Sequence, residues 1–225
     1  MKSQQSGFTL VEIAIVLVII GLLLGGVLKG QELINSAKVK AMAQDFRTIQ
    51  TALYGYQDRF KALPGDHSAV ATAVTGATAA TTPASSQGNG QINGNWNSTT
   101  ATDETCLLWQ HLRLANFMSG VTVVNCADGQ EYVQKNADGG RIGMSSATAA
   151  QLQITGMTGS FQICSAGLLG KFAKPLDTQL DDGTTLTGSV RAQEYTTTPA
   201  AVNTAAGTAT VDVADSDVTV VCMTF

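Results

Sequence analysis

The sequence predicts an α+β protein in which a long N-terminal α-helix packs on a C-terminal antiparallel β-sheet. Two observations support the helix. No proline occurs from residue 8 to residue 63, and the apolar residues change from an unbroken run to a helical period along this stretch. The third observation is a series of short apolar runs later in the chain, which are typical of strands.

The composition indicates one globular domain joined to an apolar anchor. Of 225 residues, 13% are charged, and the formal net charge is −4. An acidic chain lacks the basic surface that nucleic-acid-binding proteins need, so we predict no nucleic-acid partner. The sequence motifs of zinc proteases, serine hydrolases, P-loop proteins and dithiol oxidoreductases are all missing. We therefore expect no enzymatic activity and no catalytic residue.

The first half of the helix has the length of a membrane span. Residues 13–28 carry no charge, and the apolar stretch from Phe8 onward has 21 residues. As a helix it is roughly 31 Å long, which matches a hydrocarbon core of about 30 Å. Glu12 is the one charged residue in this stretch. A charge in a membrane helix is costly, so Glu12 is a candidate functional residue.

A short motif starts the apolar stretch: Gly7-Phe8-Thr9-Leu10-Val11-Glu12, after a polar segment that contains Lys2. It resembles the class III signal of type IV prepilins and of type II secretion pseudopilins. That signal combines a basic leader, a cleavage glycine, a phenylalanine and an acid five residues after the glycine. The resemblance covers roughly residues 1–63.

The resemblance implies a pilin fold with four segments. These are a leader peptide at 1–7, a transmembrane and assembly helix at 8–28, an amphipathic helix at 29–63, and an α+β head with variable loops at 64–225.

The resemblance also implies a chemistry. A prepilin peptidase would cut after Gly7 and methylate the new amine of Phe8. Glu12 would neutralise that amine on a neighbouring subunit during filament assembly. The other implied partners are further pilin or pseudopilin subunits, the assembly platform proteins and the inner membrane. The protein would start as a single-pass bacterial inner-membrane protein, with a cytoplasmic N-terminus and a periplasmic head, and end in a filament.

The implied function is that of a structural subunit of a type IV pilus or of a type II secretion pseudopilus, and the sequence does not separate the two. One alternative is a low-copy minor pilin with a tip-binding head, for adhesion or DNA uptake. Another is a membrane-anchored binding domain.

Two simpler interpretations of the N-terminus explain less. A secretory signal peptide needs a small-residue cleavage site after the apolar run, and residues 21–30 offer no clear one. An uncleaved anchor accounts for the span but not for Gly7, Phe8 or Glu12. The cations after the span favour a cytoplasmic head by the positive-inside rule, against the topology that the resemblance implies. They are Lys29, Lys38, Lys40 and Arg47.

The second half of the predicted helix has one apolar face, formed by Met42, Phe46, Ile49, Leu53, Tyr56, Phe60 and Leu63. The sequence Leu63-Pro64-Gly65-Asp66 predicts its end.

In the head, we expect a surface loop with at most one short helix over residues 69–102. Its turn signals are Gly88-Asn89-Gly90 and Asn93-Gly94. A helix is predicted over 104–117, with His111 packed on its apolar stripe. His67 is expected in a solvated turn.

Strands are predicted at 121–124, 152–154, 160–164, 186–195 and 218–225, with a helix at 165–174. A thin loop is predicted at 196–210.

Four cysteines follow the span, which suits two disulfides in an oxidising compartment. Three pairings are possible. We favour Cys106–Cys126 and Cys164–Cys222, because Cys164 and Cys222 lie in predicted strands. Free buried thiols are the alternative.

One acidic loop suggests a weak metal hypothesis. Asp177, Asp181 and Asp182 precede Gly183, and calcium prefers oxygen ligands from aspartate-rich loops. Some major pseudopilins bind calcium in a C-terminal loop. The spacing is not that of an EF-hand, and Asp-Gly is also a turn signal. We expect no bound metal, with calcium as the one candidate cofactor.

The processing hypothesis has a direct test. The mature protein should begin at an N-methylated Phe8, because nothing else in the sequence resembles a cleavage site. Intact mass and N-terminal sequencing of the membrane-bound protein check this. A mature chain that starts at Met1, or beyond Gly21, contradicts it.

Overall fold

The longest element is helix α1, Leu10–Phe60, in a computed structural model that describes Gly7, residues 10–194 and residues 213–225. The long helix is therefore confirmed from Leu10, and its predicted start at Phe8 lies outside the described residues. The helix ends where Lys61 takes a left-handed backbone conformation with φ 54°. Pro64 then disfavours helical geometry at Leu63, so the chain turns into the head.

The chain forms two compact units, Met1–Lys38 and Val39–Phe225. Within the second unit, one face of α1 is buried in the main core. The buried residues of this face are Val39, Met42, Ala43, Phe46, Ile49, Ala52, Leu53 and Tyr56. Fully burying a large apolar side chain contributes about 1.5–3 kcal/mol, so this face is a major contribution to the stability of the head.

Three shorter helices and four strands complete the described fold. The helices are α2 (Val70–Ala73), α3 (Glu104–Leu114) and α4 (Gly170–Leu180). The strands are β1 (Ile142–Ser146), β2 (Phe161–Leu169), β3 (Val190–Glu194) and β4 (Val218–Thr224). They form one antiparallel sheet in the order β1-β2-β4-β3. The α+β architecture, with a long helix packed on an antiparallel sheet, is confirmed.

The sheet is covered on both faces. Ile163 and Val221 belong to the core cluster that contains α1, whereas Cys164 and Cys222 belong to a second cluster beneath Trp96. Successive strand residues point to opposite faces, which explains the alternation. Trp96 is only 1% exposed.

The expectation of a surface loop at 69–102 is therefore wrong in part. This stretch contains few large apolar residues, but Ile92 and Trp96 among them are buried. Trp96 packs on a sheet face that none of the described helices covers. The predicted short helix is present as α2.

Three local predictions fail for identifiable reasons. Residues 121–124 form no strand, because side chains of α3 bind their backbone: Arg113 donates to the Val121 carbonyl over 2.8 Å and Gln110 to the Thr122 carbonyl over 3.2 Å. Residues 152–154 pack under Trp96 without forming a strand. The helix expected at 165–174 starts only at Gly170, because β2 keeps pairing with β4 as far as Leu169.

Strand β1 is missing from the prediction because its sequence, Ile-Gly-Met-Ser-Ser, shows no apolar alternation. All five residues are buried all the same. A Cβ atom at Gly143 would collide with the Trp96 carbonyl oxygen. Only glycine allows that close approach.

The structure joins Cys106 to Cys126 and Cys164 to Cys222, which is the favoured pairing. The Cα atoms lie 6.0 and 4.1 Å apart, respectively. All four residues are at most 2% exposed. The first disulfide links Cys106 in α3 to Cys126 in the segment that follows this helix. The second links β2 to its neighbour β4.

Removal of each disulfide should destabilise the head by a different amount. The sequence separations are 20 and 58 residues. The chain-entropy relation then gives about 3 kcal/mol for Cys106–Cys126 and about 4 kcal/mol for Cys164–Cys222. Urea unfolding of the two double-alanine variants measures this. Non-reducing peptide mapping of the wild type is the control, and crossed peptides or free thiols would overturn the pairing.

Candidate processing and assembly site

The proposed processing site lies at the start of α1. Gly7 is exposed and precedes the helix, whereas Phe8 lies outside the described residues. Glu12 is exposed in the first helical turn. The first N–H groups of a helix have no partner within it, and a carboxylate there gains about 0.3–1 kcal/mol from them and from the macrodipole. The position therefore tolerates Glu12 better than the middle of the span would.

The apolar part of α1 is exposed all round. Its large apolar residues between Leu10 and Leu28 are 47% to 90% exposed. Within the described residues, α1 is the one helix that is long and apolar enough to cross a membrane, as judged by length and composition. A buried core helix of a soluble protein would pass the same test, but none of this apolar stretch is buried. Such a surface needs a membrane or neighbouring apolar helices.

Charge returns to the helix at Lys29. Its Nζ lies 2.6 Å from Glu32 Oε2, and both side chains are 69% exposed. An exposed pair of this spacing contributes only a few tenths of a kcal/mol, about 0.3–0.5. The pair marks the end of the apolar stretch and adds little stability.

The family model described as the prokaryotic N-terminal methylation motif matches residues 2–28. This motif is the signature of type IV pilins and pseudopilins. The chain carries a prepilin-type signal.

The prepilin-type signal implies processing by a peptidase and assembly with other pilin subunits. The match ends at residue 28 and does not extend into the head. No curated protein and no solved structure matches the chain with significant similarity.

The head contains a group of buried ionisable side chains, which we call the polar cluster: Asp66, His67, Glu104 and His111. Asp66 is 3% exposed. Its carboxylate accepts three consecutive backbone N–H groups, from Gly88, from Asn89 over 3.1 Å and from Gly90 over 2.7 Å. Asp66 therefore fixes the turn after residue 87 to the end of α1.

The two histidines are both packed. His111 is fully buried, as predicted, and the N–H of Gly65 donates to its Nδ1 over 2.9 Å. The proton therefore sits on Nε2, which donates to the Thr78 carbonyl over 2.8 Å. Burial lowers the pKa of His111 to about 4.

The expectation that His67 is solvated is wrong. It is 9% exposed, and its Nδ1 lies 2.9 Å from the Tyr56 hydroxyl. Burial lowers the pKa of His67, and the nearby Asp66 carboxylate partly offsets this. The sequence places His67 in a polar turn, and only the packing of that turn against Tyr56 of α1 buries it.

Sequence reasoning missed Glu104, which is fully buried at the start of α3. It accepts hydrogen bonds from Ser86 Oγ over 2.5 Å and from the Asn93 N–H over 2.6 Å. Burial is the main cause that raises the pKa of Glu104. An acid at the first position of a helix gives no sequence signal for burial. The polar cluster binds backbone and side-chain groups of the head itself, so it serves to hold residues 65–93 against α1 and α3.

The three candidate calcium ligands come together at the end of α4. The carboxylate oxygens of Asp177, Asp181 and Asp182 lie within 4.8 Å of one another. Asp177 is fully buried, and its Oδ2 has no hydrogen-bond partner. Burial and the two neighbouring acids raise the pKa of Asp177 to about 6.

The carboxylates of the other two acids accept backbone N–H groups of the loop that follows α4. Asp181 Oδ2 accepts the N–H of Ser189 over 2.5 Å, and Asp182 Oδ1 accepts that of Thr184 over 2.8 Å. Carboxylate oxygens accept more than one bond. The buried, unpartnered oxygen of Asp177 thus fits a cation, while its neighbours fit a loop-capping role as well.

Acid should weaken the head through His111. The unfolded chain binds a proton at this imidazole below about pH 6.5, whereas the folded protein does so only near pH 4. The free energy of unfolding therefore falls as the pH is lowered between these values. Urea unfolding of wild type and His111→Gln at both ends of this window measures the effect. A loss of equal size in the two proteins would exclude His111 as its source.

Proposed function

We propose that the chain is a structural subunit of a type IV pilus or of a type II secretion pseudopilus. The observation that carries the proposal is the methylation-motif match at residues 2–28 on an apolar, exposed helix. The proposed role is architectural rather than catalytic. A peptidase cuts after Gly7 and methylates the amine of Phe8.

The proposed assembly mechanism rests on two properties of α1. Lipid surrounds its apolar surface while the subunit is stored in the membrane. Neighbouring helices cover the same surface once the subunit is in the filament. Glu12 supplies the one charge near the start of that surface. It pairs with the Phe8 amine of an adjacent subunit, because an unpaired buried charge costs about 3–5 kcal/mol. A contact between two different surfaces that does not close on itself builds a helical filament.

The proposed topology places the N-terminus in the cytoplasm and the head in the periplasm. The two buried disulfides support the periplasmic side, since such bonds persist in oxidising compartments. The partners would be prepilin peptidase, the assembly platform, the inner membrane and further pilin or pseudopilin subunits. The abundance of the chain in purified surface filaments would distinguish a main subunit from a low-copy tip subunit.

We also propose that the head binds calcium between Asp177, Asp181 and Asp182. The supporting observation is the buried oxygen of Asp177 that lacks a hydrogen-bond partner. Calcium would supply the missing positive charge and would relieve the cost of burying an ionised Asp177.

Calcium should raise the unfolding midpoint of the wild type at neutral pH. Binding at a hundredfold excess over the dissociation constant stabilises a protein by about 2.7 kcal/mol. Asp177→Asn should abolish the response, whereas Asp58→Asn, an exposed acid near the end of α1, should keep it. Magnesium is the ion control. An equal midpoint with and without calcium refutes the site.

Glu12→Ala should leave the head folded and the span inserted but reduce filament yield, because an incoming subunit loses the charge that pairs with the Phe8 amine. Cleavage after Gly7 should persist, since that site lies upstream. The measurement is the ratio of filament to membrane-bound monomer.

Two variants control the Glu12→Ala experiment. Glu12→Asp keeps the charge and should retain part of the assembly. Glu32→Ala removes another acid of the same helix, one that belongs to an exposed pair, and should assemble normally. Normal filaments built only from Glu12→Ala would refute the assembly role of Glu12.

A further inference from the structure

The turn at residues 88–94 contains two Asn-Gly pairs that the assembly role does not use: Asn89-Gly90 and Asn93-Gly94. Asparagine before glycine is prone to deamidation, because a residue without a Cβ lets its backbone nitrogen approach the side-chain carbon of the asparagine. In an unfolded chain the two pairs are chemically alike. The folded structure holds their glycine nitrogens differently.

Asp66 holds the nitrogen of Gly90. The Gly90 N–H donates to Asp66 Oδ2 over 2.7 Å, and the Asn89 N–H donates to Asp66 Oδ1 over 3.1 Å. Hydrogen bonds to a carboxylate are among the stronger ones in proteins. The nitrogen of Gly90 must break such a bond before it can attack the side chain of Asn89.

The nitrogen of Gly94 has no such restraint. Within the described part of the chain its N–H donates no hydrogen bond, although its carbonyl accepts one from Gln151 over 3.0 Å. Gly94 also has a left-handed backbone with φ 102°, a conformation in which most other residues would be strained. The backbone conformation therefore favours glycine over other residues at position 94, directly after Asn93.

We propose that Asn93 is a site of spontaneous deamidation in the folded protein and that Asn89 is protected. The Gly94 nitrogen attacks Cγ of Asn93 and forms the new C–N bond of a succinimide ring. The side-chain nitrogen leaves as ammonia and carries away the proton of the Gly94 N–H. Water then opens the ring to aspartate or isoaspartate, and water is the only other reactant.

The product would face a buried acid. Asn93 Nδ2 donates to Glu104 Oε2 over 3.3 Å and to Asn89 Oδ1 over 3.1 Å. Deamidation replaces this donor with a carboxylate opposite that of Glu104. Like charges at this distance repel strongly where water is excluded. The modification therefore loosens the turn from α3 as the protein ages.

The test compares the two sites within one protein. Full-length oxidised protein in detergent is held at mildly alkaline pH for days, and peptide fragmentation locates the mass gain at each asparagine. Conversion should be several-fold faster at Asn93 than at Asn89. In protein that is reduced and unfolded in urea, the two rates should become similar. Equal rates in the folded protein, faster conversion of Asn89, or no conversion of Asn93 overturns the assignment.

A matched pair of variants, Asn93→Asp and Asn89→Asp, tests whether deamidation loosens the turn. Both variants add the same charge. Asn93→Asp should lower the unfolding midpoint and speed amide exchange at Gly88 and Gly90. Asn89→Asp should have little effect, because an aspartate there still accepts the N–H of Gln91, as Asn89 Oδ1 does over 2.8 Å. Equal midpoints for the two variants would refute the loosening.

Discussion

Helix α1 has to satisfy two different surroundings along one continuous helix. Up to Lys38 its large apolar side chains are exposed on every side, and from Val39 onward one stripe of them is buried in the head. The hydrophobic effect acts on both parts, but among the described residues only the second part is buried against the rest of the chain. The remaining exposed apolar surface is what requires a membrane or other subunits, and the proposed role in a filament would meet that requirement.

The head compensates for a lean core with polar contacts. Only 6% of the residues are aromatic, and the long segment between α1 and α3 consists mainly of small residues. Hydrogen bonds that the carboxylates of Asp66 and Glu104 accept hold this segment in place, together with the bond that Gly65 donates to His111. Buried acceptors of this kind stabilise a fold when each finds its donor and are costly otherwise. The cluster thus takes the place of apolar side chains that the sequence does not provide.

The elements that the sequence predicted well are those with a strong repeating pattern. The stripe from Met42 to Tyr56, the helix that begins at Glu104 and the strand that begins at Val218 all follow their expected periods. The failures occur where the decisive partner is distant in sequence. Trp96 is buried because a sheet face lacks a helix, and His67 because Tyr56 lies beside it. Gly7 and Phe8 stay predictions from a local motif, whereas the burial of Glu104 and the approach of the three acids near Asp177 depend on the tertiary fold.

The sheet order places the latest described strand in sequence between two earlier ones. Strand β4 pairs with β2 on one side and with β3 on the other, and β3 has no other sheet neighbour among the described strands. Contacts between distant residues form slowly, because the intervening chain must first be ordered. During synthesis and export, β3 therefore lacks its partner among the described strands until residues 218–224 have arrived. A head exported as proposed would become a finished building block only after translocation of that strand, which delays its incorporation until the chain has crossed the membrane.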